Sequence, residues 1–280
     1  MRKDLKGKDV SAYLREEIKK EVAKLEKKPK MVDIQIGHNP ASDIYIAGKE
    51  KASNEVGIIF ECLRYDENED EENIISKIKE MNNDPEINGI FIQSPVAKGF
   101  NEIKLMNTVI PEKDVDGLTY LNAGKLMNNI EAMVSCTPNG IIKMLEYYNI
   151  DIEGKNVVIV GRSNLVGKPL MNLFINKNAT VTLCHSKTVD LKAHTKKADI
   201  LVVAIGRPKF ITKDMVKEGA VVVDVGINRG EDGKLCGDVE YNDVYDKVKY
   251  ITPVPGGVGP MTVTMLLYNV LEGYKRQNKI

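Results

Sequence analysis

The residues best suited to chemistry lie in "SDIYIAGKEKAS", residues 42–53, where Tyr45 and Lys49 stand four apart just after a Gly-His-Asn-Pro-Ala turn. Four residues make about one helical turn, so the two side chains share a helix face. That spacing fits an aromatic plate beside a reactive amine. It also fits two surface residues with a solvated lysine. An amine works as an acid or base near neutral pH only if burial or a neighbouring cation lowers its pKa.

A second stretch, "VVIVGRSNLVGKP" (157–169), reads as a strand, a tight turn and a helix. Gly161 allows the turn and Gly167 allows the helix to pack on the strand. The amides between them face an anion at the helix N-terminus. Ser163 stands where a dinucleotide loop usually has its middle glycine. The next strand ends in His185-Ser186-Lys187-Thr188, a set of donors, with Asp190 only later. A site for an unmodified ribose would place a carboxylate there. Donors together with the Arg162 guanidinium favour a 2′-phosphate, hence NADP over NAD.

These residues need elements to hold them. The chain of 280 residues is long enough for two domains. Lysine plus arginine and aspartate plus glutamate both number 40, so the formal charge is zero and no broad nucleic-acid surface is expected. No apolar run approaches a membrane span, and "MRKDLKGKDV" has no secretory character, so a cytoplasmic protein is expected. The four cysteines and three histidines show no metal-ligand spacing. No metal site is expected.

The first half alternates helical and strand patterns. Val10, Leu14, Ile18, Val22 and Leu25 form a helical stripe, and "KMVDIQIG" reads as a buried strand ending at Gly37. A helix follows near Ser42, with Ser42 or Asp43 as N-cap. "GIIFECLRY" is a strand, and the helix of "EENIISKIKEMNND" aligns Ile74, Ile75, Ile78 and Met81. "NGIFIQSPV" is a third strand. This βαβαβ order implies a parallel sheet with its ligand edge at the carboxyl ends of the strands. Gly37–Tyr45 and Gln93–Pro95 both belong on that edge. From Asn156 a second series of strands and helices begins. A final helix carries Met261, Met265, Leu266, Val270 and Leu271.

The motifs "SDIYIAGKEKASNEVGI", "KDVDGL", "CTPNGI", "VIVGRSNLVGKP", "DVGIN" and "TPVPGGVGPMT" occur together and in this order. In this the chain closely resembles the bifunctional methylenetetrahydrofolate dehydrogenase/cyclohydrolase family, over about residues 37 to 270. Short-chain dehydrogenases also carry a YxxxK, but theirs follows the glycine-rich loop, whereas here it precedes it. The resemblance implies an α/β protein of two domains with a cleft between them. One is an N-terminal α/β catalytic domain completed by the C-terminal helix, residues 1–138 plus 260–280. The other is a Rossmann-like NAD(P)-binding domain, residues 139–259. It implies a homodimer that takes NADP and tetrahydrofolate derivatives, with a place in purine, histidine and methionine biosynthesis.

The resemblance also implies roles for residues. Lys49 is the key amine, Tyr45 stacks on the folate, Gln93 holds Lys49, and Asp116 binds the pterin. Pro253, Gly256 and Gly257 contact substrate. Gly161, Arg162, Ser163, Ser186 and Ile227 contact the cofactor. Without the family, Asp116-Gly117 is only a turn signal. Asp114 is expected to be structural, and Cys136 and Thr137 to shape a hinge rather than react. The family usually continues its glutamine as Gln-Leu-Pro-Leu-Pro, and here the run is Gln93-Ser94-Pro95-Val96-Ala97. That change leaves open a dehydrogenase with weakened cyclohydrolase activity. A folate- or nucleotide-binding protein without turnover is a third reading, and it leaves the amine unexplained.

Overall fold

A computed structural model of the chain describes residues 4–230 and 232–280. The chain forms two compact units. The first holds Tyr13–Cys136 and Val263–Ile280; the second holds Thr137–Thr262 and the leading residues up to Ala12. The leading residues are tied in by backbone and side chain. Leu5 N donates to Ile251 O at 2.8 Å, and Lys6 N donates to Tyr148 Oη at 3.0 Å.

In the first unit β1 (Lys30–Ile36), β2 (Ile59–Tyr65) and β3 (Gly89–Ile92) form a parallel sheet in the order β2-β1-β3. The helices of this half of the chain are α1 (Gly7–Ala23), α2 (Pro40–Val56), α3 (Glu71–Asn83), α4 (Glu102–Thr108), α5 (Tyr120–Met127) and α6 (Cys136–Tyr147). As the central strand, β1 is buried from Met31 to Ile36, its polar Asp33 and Gln35 included. All four apolar residues of the α3 stripe are buried, and Asp70 caps the helix by accepting from Glu72 N.

The start of α2 differs from the expected one. The helix begins at Pro40, and Asn39 rather than Ser42 or Asp43 stands before it, its Oδ1 accepting from Ser42 N at 3.4 Å. Proline suits the first turn because that turn's N–H groups lack helical partners. Ser42 is buried and Asp43 faces Gln35 and Arg64 instead.

The second unit continues with β4 (Asn156–Val160), α7 (Gly167–Asn176), β5 (Thr180–Cys184), α8 (Leu191–Thr195), β6 (Ile200–Val203) and β7 (Val221–Asp224). A small hairpin of β8 (Asn228–Arg229) and β9 (Leu235–Cys236), then α9 (Tyr241–Val244) and β10 (Tyr250–Ile251), complete it. The main sheet is parallel, in the order β10-β7-β6-β4-β5. Strand order reverses at β4, so the turn after Val160 sits at the switch point where such sheets bind ligands. Val158, Val160, Leu201, Val203 and Val222 form the heart of its core.

The last helix, α10 (Gly259–Asn278), belongs to the first unit from Val263 onward. Met265, Leu266, Val270 and Leu271 are buried. Asn269 Nδ2 donates to Val115 O at 2.8 Å and to Val134 O at 2.9 Å. The chain therefore comes back to finish the core it began.

Candidate active site

On the first unit the sheet and α2 bring three polar side chains together, Lys49, Asp33 and Gln93. Lys49 is one turn beyond Tyr45 on α2, yet the two differ sharply. Lys49 is 3% exposed and Tyr45 is 63% exposed. The lysine is thus not the solvated surface residue its spacing alone allowed. Its Nζ donates to Gln93 Oε1 at 2.7 Å, pairs with the Asp33 carboxylate, and lies 3.8 Å from the centre of the Phe91 ring. An ammonium has three donors, so one stays available beyond Asp33 and Gln93.

Gln93 follows β3 directly, and Gln93 N donates to Ile34 O at 2.9 Å. Its Nε2 donates to Ser94 O at 2.8 Å, so Oε1 is the atom left to face Lys49. The unusual loop after it is anchored rather than loose. Ser94 Oγ donates to Glu102 Oε1 at 2.9 Å, and Ala97 N donates to Ile36 O at 3.1 Å.

Asp114 and Asp116 separate cleanly in role. Asp114 accepts from Gly117 N at 2.9 Å, Thr119 N at 2.8 Å and Asn122 Nδ2 at 2.9 Å, and so builds the turn. Gly117 has φ of 68°, and a side chain there would run into the backbone of Val134 and Ser135. Asp116 keeps some accessible surface as a residue, but its carboxyl group itself lies among protein atoms. Burial, with help from Asp114, pushes its pKa up to about 7, against the opposing pull of Lys49 and a hydrogen bond from Cys136. Burial and Asp116 push the Cys136 thiol far up, so it stays protonated and unreactive.

Burial lowers the pKa of Lys49, while Asp33 and Asp116 work against that shift. Burial raises the pKa of Asp33, opposed by Lys49 and Arg64. Both groups are pushed toward their neutral forms, the state in which a lysine can take up a proton. Asp33, Cys136 and Phe91 were not among the expected site residues. The one signal for Asp33 was an acid inside a strand buried on both faces, which apolar patterning does not explain.

On the second unit Gly161 ends β4 with φ of 125°, and a Cβ there would collide with Ala204 O. At Gly167 a Cβ would collide with Gly161 O. Only glycine fits this turn, and it brings α7 close behind the loop. Ser163 Oγ accepts from Val166 N at 3.1 Å, so the hydroxyl closes the turn that a glycine usually makes. Val166 before α7 offers no side-chain cap. The donor-rich end of that helix and the glycine cradle suit a dinucleotide pyrophosphate.

Arg162, Ser186 and Lys187 are exposed beside this loop and at the tip of β5. Asp190 caps α8 by accepting from Ala193 N at 3.1 Å and is thereby engaged. Pro253, Gly256 and Gly257 line an apolar groove of about 170 Å³ together with Ile227. The loop expected to contact substrate and the residue expected to contact the cofactor therefore share one groove. A larger cavity of about 290 Å³ opens at the opposite, amino-terminal edge of the sheet. Its Lys217 is paired with Asp199 at 2.6 Å, and none of the expected site residues lines it.

The sequence profile described as "Tetrahydrofolate dehydrogenase/cyclohydrolase, catalytic domain" matches residues 5–116. The one described as "Tetrahydrofolate dehydrogenase/cyclohydrolase, NAD(P)-binding domain" matches residues 135–278. The chain is 50% identical over 275 residues to the "Bifunctional protein FolD" of Bacillus anthracis, covering 97% of this chain and 96% of that one. The crystal structure of the bifunctional FolD enzyme from Campylobacter jejuni is similar with a TM-score of 0.95 and 42% identity, over 99% of both chains. The Trypanosoma brucei FolD, solved with NADP cofactor and inhibitor, is similar with a TM-score of 0.91 and 32% identity, over 100% of both chains. Two profiles that together span nearly all of the sequence, and relatives that match it end to end, agree with the geometry of both sites: the chain belongs to the tetrahydrofolate dehydrogenase/cyclohydrolase family.

Proposed function

We propose that the protein is a bifunctional enzyme of one-carbon metabolism. It oxidises 5,10-methylenetetrahydrofolate to 5,10-methenyltetrahydrofolate with NADP⁺, then hydrolyses the product to 10-formyltetrahydrofolate. The observation that carries this reading is the buried Lys49 held by Gln93 in the same unit as Asp116. A protein that only binds folate has no use for a desolvated amine.

The two folate nitrogens flanking the one-carbon bridge stabilise the cation formed on oxidation, so the first step asks mainly for positioning. NADP⁺, when bound, accepts the hydride. Gly161, Arg162, Ser163, Ser186 and Ile227 are the residues assigned to hold it. Asp116 accepts N–H bonds from the amino-pyrimidine edge of the pterin, and the exposed ring of Tyr45 offers a face for stacking. Pro253, Gly256 and Gly257 present a stiff wall against a flat ligand.

Hydrolysis adds water to the methenyl carbon. The water gives up one proton as it adds, and the hydroxyl so formed gives up the second as the carbon–nitrogen bond at N5 opens to leave the formyl group; N5 gains one proton and the other is released to solvent. Lys49 is placed to carry the proton. Its amine is already disposed to the neutral form by burial, and the cation of bound substrate adds to that tendency. Gln93 fixes its direction. The anchored Ser94–Ala97 loop keeps Gln93 on Lys49, which favours the bifunctional reading over a dehydrogenase that has lost hydrolysis.

The family resemblance further supports a homodimer, a cytoplasmic location and a supply of one-carbon units for purine, histidine and methionine biosynthesis. The deciding experiment mixes 5,10-methylenetetrahydrofolate with NADP⁺, then with NAD⁺, and follows reduced cofactor and methenyl-folate as separate absorbance signals. Reduced cofactor with little methenyl accumulation is expected. Methenyl-folate rising in step with reduced cofactor would establish the monofunctional alternative, and no turnover would overturn the enzyme reading.

A further inference from the structure

Asp33 has no surface exposure, and it sits at the centre of the sheet beneath Lys49. The strand register puts it directly beside Cys62 on β2 and Phe91 on β3. Its Oδ2 faces Lys49 Nζ, and Oδ1 has no hydrogen-bond partner among the described residues. Burying a carboxylate costs several kcal/mol unless a partner compensates it. Ordinary strand packing would favour an apolar residue between Val32 and Ile34. Among the described residues, the ionic contact of this costly residue is with the amine assigned to hydrolysis.

We propose that Asp33 is a positioning residue for Lys49, supporting the amine from beneath and setting the pH at which it exchanges its proton during hydrolysis. The inference rests on the reading of Lys49 as the hydrolytic amine. Two acceptors on different elements fix the amine. Gln93 reaches it from the end of β3 and Asp33 from the middle of β1, so its third donor points to one place. The other titratable groups acting on Lys49 are Asp116 and the Cys62 thiol. Arg64 acts on Asp33, while Asp114 and Cys136 act on Asp116.

The direction of the effect is the same whichever form of Lys49 does the work. Removing a negative charge beside an ammonium makes it release its proton at lower pH. If the neutral amine is the base, the acid limb of the hydrolysis profile moves down. If the ammonium is the acid, the alkaline limb moves down. A residue that merely filled space would move neither.

The test is the pH profile of 5,10-methenyltetrahydrofolate hydrolysis, corrected for the uncatalysed rate, in the unmodified enzyme and in Asp33→Asn, Asp33→Val and Lys49→Ala. The dehydrogenase step serves as the control for an intact site. In both Asp33 variants the Lys49-controlled limb is expected to fall by about one pH unit or more, with a larger change in kcat than in KM. Valine suits a buried strand and keeps the test available if the asparagine variant does not fold. An unmoved limb in a variant that retains dehydrogenase activity overturns the role of Asp33 while leaving that of Lys49 standing. Hydrolysis that survives intact in Lys49→Ala overturns the reading of Lys49, and the proposal with it.

Discussion

Gln93 accepts a hydrogen bond from Lys49 at 2.7 Å, and the two residues come from different elements 44 positions apart. The amide cannot easily reverse, because its nitrogen is engaged by Ser94 O. If this pair carries hydrolysis, Lys49→Ala should reduce that step by about 10²–10⁴-fold, the range for a positioned acid or base. Folate binding should be largely retained, since Asp116 and Tyr45 are untouched. Gln93→Ala should cost less than Lys49→Ala, because the amine remains but loses one guide. Rapid mixing with methenyl-folate, alongside a binding titration, checks both. Loss of binding equal to the loss of hydrolysis would refute the role of Lys49.

If Asp116 binds the pterin as proposed, substrate capture should depend on pH. Burial pushes the pKa of the Asp116 carboxyl up to about 7, and only the ionised form accepts two N–H bonds from a pterin edge. Below that pH the folate kcat/KM should fall, approaching about tenfold per pH unit, because this ratio reports the free enzyme. Above it the dependence on this group should vanish. Asp116→Asn should lower kcat/KM at every pH and remove this limb. A limb that persists in the asparagine variant assigns the titration to another group.

Periodicity was enough to place the strands and long helices around these residues, because their apolar faces are set by local spacing. The stripe of Ile74, Ile75, Ile78 and Met81 is buried throughout. What could not be read this way depends on contacts distant in sequence. Asn39, Ser42 and Asp43 are all good capping residues, and Gln35 and Arg64 claim Asp43 for a contact across the sheet. The two residues of β10 are too few to show alternation and gain their identity by pairing with β7. Asp33 lay inside an apolar strand, and only the arrival of Lys49 from α2 gives it a purpose. In the second unit, by contrast, Gly161 and Gly167 were readable because close backbone approach excludes every other side chain.

On the proposed reading, the donors around the nucleotide loop should set cofactor choice. Arg162, Ser186 and Lys187 are exposed, and the nearby carboxylate of Asp190 is taken up by α8. A charge-assisted contact to a 2′-phosphate is worth about 1.5–3 kcal/mol, or roughly ten- to a hundred-fold in affinity. Arg162→Ala should therefore weaken NADP⁺ by that factor and leave NAD⁺ nearly unchanged. Titrating both cofactors into both proteins is sufficient. An equal effect on the two would remove the 2′-phosphate assignment.

Asp224, at the end of β7, organises the loops on the ligand edge of the second unit. Its Oδ1 accepts from Gly226 N at 3.0 Å and Asp238 N at 2.9 Å, and its Oδ2 accepts from Val239 N at 2.8 Å. Asp238 in turn accepts from Ile205 N at 2.7 Å, Gly206 N at 3.0 Å and Arg207 N at 2.8 Å. Two buried carboxylates thus knit the segments after β6, β7 and β9 through backbone amides. Burial holds the Asp224 pKa up at about 6, so near neutral pH it is mainly ionised and accepts on both oxygens. Asparagine offers only one oxygen, so at least one buried N–H would meet an amide nitrogen. Asp224→Asn should destabilise the protein by about 1–3 kcal/mol, read from the midpoint of urea unfolding. Because Ile227 and Pro253 share the groove beside Asp224, the same variant should weaken cofactor binding although the side chain need not touch the ligand. Unchanged stability would mean that the amide nitrogen finds an acceptor and that these loops do not depend on the paired carboxylates.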